Sequence, residues 1–422
     1  MNDSPTPAPD VFVGLDWADQ KHDVCWLTAD GRTGSFELPH TTADLDRLPA
    51  RLQELAGGGT IRLAFEKSRG PLLYALMHRP ELQLYLIDPK QSSQYRASFS
   101  SAGAKCDATD AALLARLLRE RQAELKPLVL DDEPTRLLAE LARARRQLVD
   151  QRTSIIQRLT ALLKRYFPLL LELGPVDGPL VQEVLRRTPD PREFRRLHPR
   201  TLAAVLRHGK TRNDEQLQAE VQRIRAAPLL TQDGPVIAAH APQAAAAAEQ
   251  LRVLARHIED LERQLDAAYA QHPDAALLQD VPGAGRALGP RLLAAFGSDR
   301  DRFANAEELA SFSGVAPVTR QSGKLKVVVR RRAAPQFLKQ TFHEFADAAR
   351  KWCPWSRAFY QWLRSQGMAH HAVLRKLARA WIRILFQVWK SRTPYDPDRY
   401  LQQLKAKNHP ALKFLPPTTA TP

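Results

Sequence analysis

Hydrophobic positions change period along the chain. Between residue 11 and about 125 they come in short, β-branched and aromatic runs: VFVGLDW (11–17), DVCWLTA (23–29), RTGSFEL (32–38), IRLAFE (61–66) and LQLYLI (82–87). Runs of this kind, bounded by turn residues, predict strands. Asp30-Gly31 lies between the second and third and predicts a hairpin, because both residue types tolerate positive φ. Helical stretches are predicted at Thr42–Leu55, at PLLYALM (71–77) and at KCDATDAALLARLLRERQ (105–122), with a Gly-Gly-Gly break at 57–59.

From Glu133 the pattern is helical and long. Leu141, Leu148, Ile155 and Leu162 recur every seven residues, and Leu251, Leu254, Ile258, Leu261, Leu265 and Ala268 alternate spacings of three and four. The second set is a coiled-coil seam; the first suits either such a seam or ordinary bundle packing. Pro168 and Gly174-Pro175 end the first arm. A basic, helix-rich segment (about 175–230) and an Ala/Pro-rich connector (235–249) separate the arms, which can pair as an antiparallel hairpin or join a second subunit. This organisation gives an α/β domain over 10–126, a coiled-coil and helical region over 130–272 with an inserted segment at about 170–245, a compact mainly helical domain over 275–395, and a loose tail over 396–422.

Composition narrows the class. The 422 residues carry 62 Lys+Arg against 46 Asp+Glu, a net +16, with 44% hydrophobic residues. That is enough apolar material for real cores, and the charge makes a polyanion such as nucleic acid the expected partner. No apolar run approaches the roughly 18 residues that cross a bilayer. The opening MNDSPTPAPD has neither a basic patch nor an apolar stretch, so no signal peptide is expected. Cys25, Cys106 and Cys353 are odd in number and far apart, which fits neither a disulfide framework nor a zinc site. The expected location is the cytoplasm, at the nucleoid.

Four acids stand out. Asp16 ends the first strand, Glu66 ends the fourth, and Asp107 and Asp110 lie three apart on the following helix, on one face. Three antiparallel strands followed by alternating helices and strands is the order of an RNase H-like mixed sheet, in which the first and fourth strands are neighbours. The four carboxylates can then converge. Crowded acids repel, so the cluster calls for cations, and a purely oxygen donor set favours Mg²⁺ or Mn²⁺ over zinc. Taken singly each has a plainer reading: a turn residue, a salt-bridge partner, or an acid suited to a helix N-terminus.

A second constellation lies far downstream. SGVAPVTRQSGKLKVVVRRR (313–332) holds Arg320, Lys324, Lys326, Arg330, Arg331 and Arg332 around Ser322 and no acid. A hydroxyl among cations is easier to deprotonate, and those cations bind a phosphate, so Ser322 can be a nucleophile on a phosphodiester. The plainer reading is a Ser-Gly turn in a basic loop. Upstream, Pro282 to Gly285 has the Pro-Gly-x-Gly of a helix-hairpin-helix turn, where Gly283 and Gly285 let backbone N–H groups approach a phosphate. The aromatic and basic stretch after Cys353 suits either a DNA-facing helix pair or a core with a solvated basic face. Adjacent His370 and His371 are poorly placed for joint metal ligation and are read as non-ligands.

Together these motifs resemble the DEDD-type transposases of bacterial insertion sequences, related to pilin-gene DNA invertases: VGLDWADQKHDVCWL, AFEKSRG and KCDATDAALLA at one end, LLQDVPGAG, RFANAEELASFSGVAPVTRQSG and KSRTPYDPDRY at the other. The resemblance implies a RuvC-like N-terminal domain in which Asp16, Glu66, Asp107 and Asp110 hold Mg²⁺ or Mn²⁺. It also implies a nucleophilic Ser322 that becomes linked to DNA, a homo-oligomer (dimer or tetramer) in which one protomer completes another's site, and a bridging guide RNA that pairs with donor and target DNA. The chain departs from the family in Lys67-Ser68-Arg69 and in the Lys-Leu-Lys-Val-Val-Val run after Gly323. The rival expectations are a RuvC-like structure-specific endonuclease and a non-catalytic nucleic-acid-binding descendant of a transposase.

Overall fold

In the computed structural model, residues 10–66, 70–98, 107–208, 213–323 and 325–416 are described, without the side chains of Asp107, Ala108 and Leu325. The chain divides into two units, one up to residue 130 and one from 131 onward.

The first unit is built on a five-stranded sheet of β1 (Val11–Asp16), β2 (Lys21–Thr28), β3 (Thr33–Pro39), β4 (Ile61–Phe65) and β5 (Leu82–Leu86), in the order β3-β2-β1-β4-β5. β1 pairs antiparallel with β2 and β2 with β3, whereas β4 runs parallel to both β1 and β5. The mixed sheet read from the sequence is therefore present. Helices α1 (Thr42–Ala56) and α2 (Pro71–Leu76) cover one face, where Val11, Val13, Leu15, Leu63 and Phe65 are buried. On the other face Phe12, Ala64, Tyr85 and Ile87 pack with Leu114, Leu117 and Leu118 of α4 (Asp107–Glu120). Of the turn residues Asp30-Gly31, only Gly31 takes positive φ. Between β5 and α4 lies α3 (Pro89–Ala97), which the hydrophobic pattern does not announce.

In the second unit the long helices α5 (Glu133–Tyr166) and α11 (Gly234–Gln271) pack along each other. Arg145 Nε donates to Glu262 at 2.8 Å and Arg158 Nη2 to Gln250 at 2.9 Å, so the two run antiparallel within one chain. The expected connector at 235–249 is instead the start of α11. Pro235 occupies the first turn, where its missing N–H costs nothing, and five consecutive alanines are the best helix formers. The inserted segment forms α6 (Leu169–Leu173), α7 (Pro179–Arg187), α8 (Pro191–Arg196), α9 (Pro199–Leu206) and α10 (Asp214–Ala226), which share a core with the ends of the arms.

A second core joins α12 (Gly285–Phe296), α13 (Ala306–Phe312), α14 (Gln336–Trp352), α15 (Pro354–Ser365) and α16 (His370–Ser391). The element before α12 is a single 3-10 turn at Ala275–Leu278 rather than a full helix, so the helix-hairpin-helix expectation holds only in its second half. Two strands, β6 (Val318–Ser322) and β7 (Leu325–Val329), form an antiparallel hairpin where the sequence suggested a loop. The expected loose tail is a correction as well. Residues 397–406 form α17 (Pro397–Ala406) and Pro410–Phe414 a 3-10 turn, because Leu404 joins the second core, Leu412 packs against it and His409 stacks on Phe359; residues 417–422 lie outside the described residues.

Candidate functional site

Register sets the acidic constellation of the first unit. Gly14 opposes Ala64 across β1 and β4, so Asp16 and Glu66, each two residues further on, stand at the same level. Strand side chains alternate, so Asp16 shares the face of Phe12 and Gly14, and Glu66 the face of Ala64; that face is the one α4 covers. The approach of α4 is very close: a Cβ on Gly14 would lie 2.0 Å from the Ala111 carbonyl oxygen and 2.5 Å from the Ala115 nitrogen. Only glycine permits it, and it brings Asp110, the residue before Ala111, to the end of the sheet that holds Asp16 and Glu66.

Two features escaped the sequence reading. Asp23 is the direct partner of Asp16 in the antiparallel ladder, so their side chains share a face at neighbouring positions. Like charges directly opposite are unfavourable unless a cation relieves them. The signal was present in KHDVC, one strand away from VGLDW. The second feature is α3. Ser92 Oγ donates to Glu66 Oε1, and one turn later Arg96 Nη2 stands 2.6 Å from Asp110 Oδ1. Asp110 is 6% exposed, and its Oδ1 has an ion-pair distance to Arg96 but no aligned hydrogen bond. One face of α3 thus holds two of the acids.

The acids are brought to one end and one face of the sheet, yet they do not close on a common point. Among the described residues, no three His, Cys, Asp or Glu side chains gather closely enough to hold a metal ion. The side chain of Asp107, and Lys67, Ser68, Arg69 and Cys106, lie outside the described residues. The donor chemistry nevertheless suits a hard divalent cation: carboxylate oxygens only, two of them opposed across a ladder, and one buried oxygen without a directed donor. Cys25, on the same face as Gly14, is buried, and burial pushes its thiol above the ordinary range.

A separate constellation lies in the other unit. Ser322 ends β6, exposed at the tip of the hairpin and paired with Leu325, with Gly323 at φ 56° making the turn. Arg320, Lys326, Arg330 and Arg332 are exposed along the same hairpin and its continuation, Arg331 is half-buried, and Lys324 lies outside the described residues. The two glycines of Pro282–Gly285 differ. Gly283 (φ 85°) is pressed on α14, where a Cβ would meet the Ala349 nitrogen at 2.7 Å, so packing accounts for it. Gly285 (φ 45°) opens α12 with free space around its Cα. Trp355, Trp381 and Trp389 are core residues, so the aromatic stretch forms a core and leaves its basic residues on an outer face. His370 accepts or donates at Tyr360 Oη (2.8 Å) and His371 faces His343 (3.3 Å).

Comparison with known proteins converges on one family. A family profile described as a transposase matches residues 13–168, and one described as the IS116/IS110/IS902 transposase family matches 275–361. A mini-circle protein of IS117 from Streptomyces coelicolor is 30% identical over 401 residues, covering 92% of this chain and 96% of its own length. The chain belongs to the IS110/IS116/IS902 family of transposases. A 42 kDa protein of IS900 from Mycobacterium paratuberculosis is 28% identical over 92% of this chain and 98% of its own, and a 43.6 kDa protein of IS110 from Streptomyces coelicolor 29% over 92% and 95%. Transposases cut and join DNA, so this transposase is an enzyme of phosphodiester chemistry. No helix among its described residues is long and apolar enough to cross a membrane.

Proposed function

We propose that this transposase cuts and rejoins DNA through a phosphoserine intermediate on Ser322, with divalent cations held by Asp16, Glu66, Asp107 and Asp110. The observation that carries the reading is the hairpin: an exposed hydroxyl at its tip, followed by a left-handed glycine and flanked by cations without an acid. In the step, Ser322 Oγ bonds to phosphorus as the P–O bond to the leaving strand breaks. The leaving oxygen takes up one proton and Oγ gives one up, so the ester conserves the bond and its reversal rejoins strands. Arg320, Lys326 and Arg330 neutralise charge on the phosphate oxygens. When bound, Mg²⁺ or Mn²⁺ would supply charge neutralisation and activation of the attacking and leaving oxygens. The strand order and the level shared by Asp16 and Glu66 support an RNase H-like, RuvC-like identity for the first unit.

The same reading takes the arms and inserted helices as a separate part from the serine-bearing part. It makes the working form a homo-oligomer, with an element-encoded RNA choosing the DNA partners while the protein grips backbones. Sequencing the RNA that co-purifies with the protein tests the guide, and its absence removes that part.

For the chemistry, Ser322→Ala and Asp16→Ala are expected to abolish recombination with folding and DNA binding retained, and a denaturing gel of the parent should show a protein–DNA adduct that Ser322→Ala lacks. Normal recombination by Ser322→Ala ends the covalent mechanism. Cleavage with no adduct leaves a structure-specific nuclease, and no cleavage with either cation leaves a binding protein.

A further inference from the structure

A cavity of about 340 Å³ opens at the root of the hairpin, where Arg330 follows β7, and is walled by Lys339, His343 and Glu344 of α14 and by His371 and Arg375 of α16. Its charges are unbalanced. Glu344, the lining carboxylate, is already held from elsewhere by Arg146 (2.8 Å) and by the buried Arg291 (2.5 Å). Lys339 Nζ donates to the Arg332 carbonyl at 3.4 Å, a neutral partner. Arg375 is half-buried, and burial together with the like charge of Arg330 pushes its pKa down, with no acid opposing the shift. His343 is likewise pushed down, by burial first and then by His371, Arg375 and His370, with Asp347 only a partial offset; Asp347 is itself paired with Arg350 and Lys351.

Cations held beside cations in partial burial are unfavourable unless something negative enters. Solvated surface charges have no such arrangement, because they spread into water and find acids. A cavity of this size, roughly eleven water volumes at about 30 Å³ each, has room for a phosphate group and its hydrating waters. The planar guanidinium forks of Arg330 and Arg375 suit a tetrahedral oxyanion with two free oxygens.

We infer that this cavity is a binding site for one backbone phosphate of DNA, set apart from the phosphate that Ser322 addresses. Val318 pairs with Val329 at the root of the hairpin and Ser322 with Leu325 at its tip. That is four residues of strand, about 14 Å at ~3.4 Å per residue. The same length covers about four base steps of duplex at ~3.4 Å each. The pocket therefore holds the strand a few nucleotides from the phosphate at the hairpin tip and fixes its register on the hairpin. The inference rests on DNA lying along the hairpin, but not on Ser322 being the nucleophile.

The test uses the full-length protein, a labelled DNA duplex of arbitrary sequence, and anisotropy titrations across a salt series. Arg375→Gln and Lys339→Gln should each weaken binding about five- to tenfold, and each should lower the slope of log K against log salt by about 0.9. The melting temperature should stay or rise, because a like-charge neighbour has gone. Arg256→Gln, an exposed change on α11, should shift binding by less than about twofold. The readout is binding and not recombination, so failure of the nucleophile reading leaves this one standing. Parent-like binding by Arg375→Gln, or a loss no larger than that of Arg256→Gln, overturns the pocket. If Arg375→Gln melts lower, Lys339→Gln must show the loss at unchanged melting temperature, or the role is structural and the inference falls. A loss on an RNA duplex without one on DNA likewise overturns the DNA assignment.

Discussion

Gly14 lacks a side chain because β1 and α4 leave no room for one, and two predictions start from such contacts. Gly14→Ala forces its Cβ to within 2.0 Å of the Ala111 carbonyl oxygen, so α4 must shift. Overpacking of backbone against backbone sits at the upper end of the usual range, about 3 kcal/mol. Chemical denaturation should show that loss, and a parent-like variant would mean that the helix is not seated on β1. Arg96→Gln removes the cation beside Asp110 and leaves a nearly buried carboxylate alone, at a cost of roughly 2–4 kcal/mol. If the acids bind divalent cations, Mg²⁺ should raise the melting temperature of Arg96→Gln more than that of the parent, since the guanidinium no longer competes. Equal responses would show that Arg96 does not compete with a cation there. Asp16, Glu66 and Asp110 were legible in the sequence because strand ends and a helix face can be placed from periodicity. Asp23, Ser92 and Arg96 were not. Cross-strand register decides the first, and the other two act from a helix that the pattern does not reveal.

Elements were legible in proportion to the apolar contrast of their faces. The five strands of the first unit carry apolar residues that bury on one face or both, and the arms repeat leucine at helical spacing. α3 has the sequence PKQSSQYRA and buries only Ser92, so no stripe betrays it. In the β6–β7 hairpin, exposed Arg, Gln and Lys interrupt the alternation on a two-stranded ribbon with little core beneath it. In the middle of α7, Glu183 receives hydrogen bonds from Arg186, which with the neighbouring Arg187 holds its carboxyl at about 2 against an ordinary 4.5. A depressed folded pKa means that the contribution to stability is present above about 4.5 and drains as the pH falls toward about 2. Urea unfolding of the parent and of Glu183→Gln should therefore differ by a constant amount near neutrality. The gap should close on acidification, down to the lowest pH at which both fold. A gap that persists unchanged at low pH would mean that the carboxylate charge is not its source.

Charge is divided between the two units, and this bears on which of them grips DNA. Residues 1–130 hold 15 Lys+Arg against 17 Asp+Glu, a net −2, while residues 301–422 hold 22 against 7, a net +15. Nearly the whole excess therefore belongs to the part that carries Ser322, the hairpin and the basic face of α16. The first unit contributes acids and close to no net field. Sequence-independent affinity for a duplex arises from phosphates neutralised and counterions released, at a slope of about −0.9 per phosphate. Replacing Arg320, Arg330 and Arg332 together by Gln should lower the salt slope by about 2 to 3 and weaken binding by about two orders of magnitude at moderate salt. Replacing Arg116, Arg119 and Lys126 of the first unit, also three exposed cations, should leave both within error. Anisotropy with a duplex of arbitrary sequence measures the two in parallel. Equal losses would mean that the acidic unit also lies along the backbone, and the division of labour read from the charges would be wrong.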